Sequence, residues 1–264
     1  MSGKQATNKA KIARRVIEVL EYFDDTNTEA TVMDIVRRYD RPQSSTSELL
    51  SSLVELGLLY KDPYSRAYSL TPRAALIGTS GQPATIRDGR MVRLLDRLLA
   101  QTGHSVVLTS FVGLDVQIVA CLQGARALAS TRNLNGGMKE AAIHSSAGWL
   151  MLSTFPKPRC EGMVRRLNAE ADERDKFQLA DMLARIDACR SQHYVVGPAG
   201  FGSKSMAFTV LVPNQPASSP MAISLLVGKD ETFNPEALLR CVSASARACL
   251  PDEGVVLEAL PFAA

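Results

Sequence analysis

The chain has 264 residues, 46% of them hydrophobic and 22% charged, and its 30 Lys and Arg outnumber its 27 Asp and Glu for a net charge of +3. That balance is near the globular average and excludes a wholly disordered, collagen-like or tail-like chain, while the length favours two domains or one large one. No stretch approaches about 18 uncharged apolar residues, and Met1 to Arg15 carries cations with no apolar segment behind them, which predicts a cytoplasmic chain without a membrane span or secretory signal.

Charge is sorted along the N-terminal part. Lys4, Lys9, Lys11, Arg14 and Arg15 come with no acid among them, Glu18 to Asp34 holds acids and no base, and Arg37, Arg38 and Arg41 turn positive again. A surface with one basic side requires such sorting. Over the same residues, Ile12, Val16, Val19, Leu20 and Phe23 recur at a helical period that ends in the polar Asp24-Asp25-Thr26-Asn27 connection. Thr31 is placed to cap a second short helix with the apolar stripe Val32, Ile35, Val36 and Tyr39, and Arg41-Pro42 breaks it. A third helix opens on Gln43-Ser44-Ser45-Thr46-Ser47, runs to Leu56 and closes at Gly57. Leu58 to Tyr60 and Arg66 to Leu70, flanking the Asp62-Pro63-Tyr64-Ser65 turn, read as a hairpin.

Three helices and a hairpin within about seventy residues, the last helix fronted by small hydrogen-bonding side chains, is the pattern of a winged helix-turn-helix. A major groove about 12 Å wide admits one helix, and short polar side chains on its front turn reach base edges. The pattern places Gln43, Ser44, Ser45, Thr46 and Ser47 nearest the bases and Arg37, Arg38, Arg41, Lys61 and Arg66 on phosphates. A winged-helix protein-binding adaptor is the alternative. It would expose aromatic anchors on that helix, and no aromatic residue lies between Pro42 and Leu59.

Residues 71 to 83 read as a linker, and Ile86, Met91, Leu95, Leu98 and Leu99 predict a linker helix ending near Gly103 whose stripe pairs two copies of the chain. The period then changes to two. Strands are expected at Ser105 to Phe111, Val116 to Leu122, Leu128 to Arg132, Tyr194 to Val196, Met206 to Val212 and Met221 to Val227. Helices are expected at Ser145 to Phe155, Pro158 to Leu167, Lys176 to Gln192, and from the Asn234-Pro235-Glu236 start to Leu250. The fold class is therefore a mainly-α winged helix-turn-helix at 1–78, a linker and linker helix at 79–103, and an α+β domain at 104–264 with a mainly antiparallel sheet.

Other chemistry finds little support. Cys121, Cys160, Cys189, Cys241 and Cys249 are odd in number and widely spaced, so they are neither a disulfide framework nor a metal knuckle. Gly197 to Ser205 nearly matches a phosphate-cradling loop, but Met206 to Val212 reads as a strand where such a loop needs a helix. His104, His144 and His193 show no ligand spacing, and no G-x-S-x-G elbow stands beside them. No catalytic residue, metal or cofactor is expected.

The chain resembles the IclR family of bacterial transcriptional regulators. The resemblance lies in Arg41 to Thr46, Leu49-Leu50, Leu53 to Leu59 and Tyr68-Ser69-Leu70, and further on in His144 to Gly148 and Met221 to Ser224. It implies a regulator, repressing by default, that binds palindromic operator DNA as a homodimer or a dimer of dimers and answers a small carboxylate or aromatic acid in a GAF-like C-terminal domain. It maps effector contacts onto Ser146, Ala147, Ala207 and Ser224. The residues add Ser145 at a helix start, Thr209 and Leu226 on the flanking strands, and Arg132 or Lys204 as countercharge. Two departures stand out: Glu48 where the family has a base before the paired leucines, and Trp149 where Lys follows the glycine.

Overall fold

The computed structural model describes residues 8–250 except 25, 79–80, 82–83, 193, 214 and 216–218, so Lys4 and His193 lie outside the described residues. The chain divides into two compact units, Met1–Arg87 and Asp88–Ala264.

In the first unit, α1 (Asn8–Tyr22), α2 (Val32–Tyr39) and α3 (Gln43–Glu55) are followed by the antiparallel hairpin β1 (Leu59–Lys61) and β2 (Tyr68–Leu70). The expected stop signals act as read. Thr31 closes a capping box with Asp34, and Gly57 takes the left-handed conformation (φ 69°) after α3. Val19, Ile35, Leu50, Leu53, Leu59 and Tyr68 form the core that fixes α3 against α1 and α2. Two short helices then follow, α4 (Pro72–Leu76) and α5 (Ala84–Arg87). The first lies in the segment read as linker: Pro72 sits in its first turn, and the Thr71 hydroxyl donates to the Gly57 carbonyl at 2.6 Å.

The second unit opens with α6 (Arg90–Thr102) and holds the strands β3 (Ser105–Val112), β4 (Asp115–Leu122), β5 (Lys139–Ala141), β6 (Tyr194–Pro198), β7 (Met206–Leu211) and β8 (Met221–Val227). They form one antiparallel sheet in the order β5-β4-β3-β8-β7-β6. Helices α7 (Ser146–Leu152), α8 (Lys157–Glu170) and α9 (Leu179–Gln192) build one cover, and α10 (Pro235–Cys249) joins α6 in the other. The Asn234 side chain caps α10 by accepting from the Glu236 and Ala237 N–H groups at 2.9 and 3.2 Å.

Two expectations are corrected. The Leu128 to Arg132 segment is no strand but a 3-10 turn at Ala129–Thr131, whose Thr131 hydroxyl donates to the Leu128 carbonyl at 2.8 Å. The strand comes later, because Gly137 (φ 82°) donates to the Ile118 carbonyl and swings the chain alongside β4 only at Lys139. The expected stripe is buried within its own unit where α6 packs on α10 and β3, with Met91, Leu95 and Leu98 at most 2% exposed and Leu99 half-buried. It offers no face to a second copy, and Ile86 stands apart on α5 because Asp88-Gly89 interrupts the helix.

Packing at α7 is close enough to test. A Cβ on Gly148 would strike the Ala142 carbonyl, whereas one on Gly162 in α8 would meet open space. Gly148→Ala is expected to lower stability by about 1–3 kcal/mol, and Gly162→Ala to raise it by about 0.5–1 kcal/mol, both read from urea melts. His104 gives a pH test. It is 3% exposed, and burial, chief among the causes, holds its pKa below the usual histidine range, with Arg126 acting the same way and Glu231 opposing. As pH falls below about 6.5 the unfolded chain takes this proton before the folded one does, so stability falls through that window, and His104→Gln should flatten the fall in melts compared at about pH 7.5 and 5.5.

Candidate nucleic-acid interface and effector site

Helix α3 has no side-chain cap, because Pro42 occupies the N-cap position, so its first turn is fronted by Gln43 and Ser44, both exposed. Thr46, Leu50 and Leu53 anchor the opposite side in the core. The open face comprises Gln43, Ser44, Glu48 and Ser51, with Ser47 half-buried beside them. This corrects the expectation for Thr46, which is 1% exposed and donates its hydroxyl to the Pro42 carbonyl at 2.9 Å. Its place in the helix turns it inward, away from any groove. Ser45 is half-buried, accepting from Arg15 at 3.2 Å while donating to the Pro42 carbonyl at 3.2 Å.

The expected phosphate contacts divide in the same way. Arg41 is taken up by the Glu18 carboxylate, with Nη2 3.2 Å from both oxygens. Sequence separation hid this pair, since Glu18 lies on α1 and Arg41 in the turn before α3. Arg37 stands 3.9 Å from Asp34, and Arg37 and Arg38 border a surface cleft of about 360 Å³ shared with Glu21, Asp24 and Asp34. Lys61 and Arg66 are exposed on the hairpin. Lys61 lies 5.2 Å from the Tyr68 ring centre, and Arg66 holds a left-handed turn position (φ 58°).

In the second unit the structure brings together three of the expected effector residues. The Ser146 and Thr209 hydroxyls are 3.0 Å apart and those of Thr209 and Ser224 are 2.9 Å apart, a chain from α7 across β7 to β8 with no member more than 5% exposed. The Ser145 side chain caps α7 through the Gly148 N–H at 3.4 Å, and Ala147 is 3% exposed. Gly148 serves close packing on Ala142. Ala207 and Leu226 join Val107, Ile118 and Leu134 in an apolar cluster on the same sheet face, bordered by Cys121, Met138, Ala199 and Phe201. Burial raises the Cys121 thiol pKa. Arg132 and Lys204 remain exposed and are not brought to the hydroxyl chain, because a desolvated cation needs a carboxylate or strong acceptor that these hydroxyls do not supply.

Around the Gly-rich segment Gly197 to Ser205, Glu140 and Ser130 carried no signal in the sequence. Gly200 (φ 80°), Phe201 (φ 53°) and Gly202 (φ 70°) form a left-handed run whose Phe201 N–H donates to Glu140 and whose ring touches both the apolar cluster and the α7 core. Burial is the largest influence on Glu140 and raises its pKa, and its second oxygen is buried without a hydrogen-bond partner. The Ser130 and Ser205 hydroxyls meet at 2.7 Å. An acid in a three-residue edge strand shows none of this in its spacing. Among the described residues no group of His, Cys, Asp and Glu is placed to hold a metal ion, and no helix is long and apolar enough to cross a membrane.

Residues 13–63 match the IclR helix-turn-helix domain family. No curated protein matches the chain in sequence. Among solved structures, an IclR homolog from Microbacterium hydrocarbonoxydans complexed with 4-hydroxybenzoate is 17% identical, with a TM-score of 0.56 over 90% of this chain and 97% of that one. An IclR transcriptional regulator from Alicyclobacillus acidocaldarius is 17% identical with a TM-score of 0.57, over 92% and 98% of the two chains. The Agobacterium tumefaciens repressor BlcR is 17% identical with a TM-score of 0.51, over 94% and 99%. Residues 13–63 thus match the IclR helix-turn-helix domain, in a chain whose fold is similar to that of solved IclR-family transcriptional regulators.

Proposed function

We propose that this protein is a transcriptional repressor that reads a palindromic operator with α3 and releases it on binding a small carboxylate or aromatic acid in the C-terminal unit. The observation that carries the reading is the open polar front of α3, Gln43 and Ser44, held on an apolar core in a unit whose hairpin carries exposed cations. Polar side chains on an exposed front turn make contacts that discriminate bases, and the hairpin cations Lys61 and Arg66 supply sequence-independent attraction to phosphates. A palindrome needs two readers, so the working unit is a homodimer or a pair of dimers.

A gel shift against the DNA flanking its own gene tests this first. Gln43→Ala is expected to cost roughly 1–3 kcal/mol at one base position and to leave random duplex binding unchanged, while Arg66→Ala lowers affinity for every sequence and reduces the salt slope by about one unit. Equal loss on specific and random DNA for Gln43→Ala would remove α3 from the groove.

For the effector, the support is the buried hydroxyl chain Ser146–Thr209–Ser224 beside an apolar cluster, a pairing of hydrogen-bonding groups with greasy surface that suits a small aromatic acid. The relative from Microbacterium hydrocarbonoxydans holds such a molecule, 4-hydroxybenzoate. In a thermal-shift screen of central and aromatic catabolic acids, the right ligand at about 100 times its dissociation constant adds about 2.7 kcal/mol. Thr209→Val should abolish that shift and leave operator affinity within about threefold, since the reader helix belongs to the other unit. A full shift in Thr209→Val places the pocket elsewhere.

A further inference from the structure

The first unit carries a second concentration of positive charge. A groove of about 590 Å³ beside the start of α3 is lined by Lys11, Arg14 and Arg15 of α1 and by Arg41, Pro42 and Ser45 of the turn into α3. Arg14 and Arg15 follow Lys11 at three and four residues, the spacing that brings each beside Lys11 on the helix surface. Lys11 and Arg14 are exposed and make no ion pair among the described residues. Arg15 crosses to Ser45 at 3.2 Å, which ties this face to the first turn of the reader. In the same wall the Arg41 Nε is buried without a hydrogen-bond partner.

The surroundings separate this groove from the other basic cluster. Arg37 and Arg38 share their cleft with Glu21, Asp24 and Asp34, so an approaching phosphate meets three carboxylates there. Among the described residues no acid lines the α1 groove, and Glu18, on the same helix, is paired with Arg41 at 3.2 Å. A second copy of the chain is a poor occupant, although Ile12 is 57% exposed beside the cations. A two-fold interface sets the same patch against itself, so Lys11, Arg14 and Arg15 would face their own copies.

We propose that this groove is a phosphodiester site. Lys11, Arg14 and Arg15 hold the DNA backbone beside the base pairs that Gln43 and Ser44 read, and Arg37 and Arg38 stay off the DNA. The assignment rests on the DNA-binding reading above and adds to it the place where the backbone is held.

Fluorescence anisotropy of the full chain with a labelled mixed-sequence duplex, titrated at salt concentrations from about 50 to 200 mM, tests it, because phosphate contacts are independent of sequence and each contributes about 0.9 to the salt slope. The double variant Lys11→Ala/Arg14→Ala should lose about two units of slope, and Arg37→Ala/Arg38→Ala less than about half a unit. All four side chains are exposed, and unchanged thermal melts of both variants would confirm an intact fold. A wild-type slope in the α1 variant, or the larger loss in the α2 variant, overturns the assignment. So does a change of oligomeric state in light scattering for the α1 variant, which would make the groove a contact between copies. A wild-type chain with no salt-dependent binding to any duplex removes the DNA reading itself along with the groove, and that result is distinguishable because it needs no variant.

Discussion

An antiparallel sheet of six strands presents two apolar faces, and neither can be left to water. On one face α6 and α10 meet that requirement, burying Met91, Leu94, Leu95 and Leu98 of the first and Leu239, Val242 and Ala246 of the second. On the other, α7 lies over β6, β7 and β8 with α8 and α9 behind it, and Phe111, Val116 and Ala222 of the sheet join its core. Over Val107, Ile118, Ala207 and Leu226, residues of connecting segments, Leu134, Ala199 and Phe201, pack on the cluster. Loops open at lower cost than packed helices, so the end of the sheet roofed by loops is the end suited to admitting a small molecule.

That same requirement explains why one sequence signal pointed to the wrong partner. An amphipathic stripe on a helix shows that something covers it, and periodicity alone does not say whether the cover is the same chain or another. The stripe at Met91 to Leu98 belongs to the sheet, which the sequence did not reveal because its covering partner, α10, lies more than a hundred residues further on. Signals that act within a few residues were legible: Thr31 with Asp34, Gly57 after α3, and Asn234 with Pro235 at the start of α10 are local chemistry. The Leu128 to Arg132 reading failed because five residues of mixed character do not fix pairing, and a left-handed Gly137 set the register instead.

Charge behaved likewise. The alternation of basic, acidic and basic stretches over residues 1 to 41 was plain in the sequence, but its use depends on which charges fold against each other. Glu18 and Arg41, 23 residues apart, meet at 3.2 Å across α1 and the turn before α3. With both partners partly buried, the pair positions that turn and leaves Arg41 unavailable as a free cation. Screened surface pairs such as Arg37 with Asp34 add little by comparison. The hydroxyl chain shows a different relation: Ser146 and Ser224 were named through the family resemblance and Thr209 as a flanking strand residue, while Glu140 was not named, since only the fold sets it against Phe201.

The roof over that chain is where ligand energy would enter. A left-handed conformation costs a residue with a side chain roughly 1–2 kcal/mol, and Phe201 accepts it between two glycines that tolerate it freely. Two contacts offset the cost: the N–H donated to Glu140, and a ring shared between the apolar cluster and the core under α7. On the proposed function, a ligand shifts the protein between states only by the difference in its affinity for them. An aromatic acid seated beside Ala207 and Leu226 competes for the surface that the Phe201 ring covers, and its charge acts on the buried Glu140 carboxyl that holds the loop. Both effects bear on a segment whose conformation is already strained, which on the proposed function makes residues 199–205 the element through which occupancy of the cluster would change the structure around it.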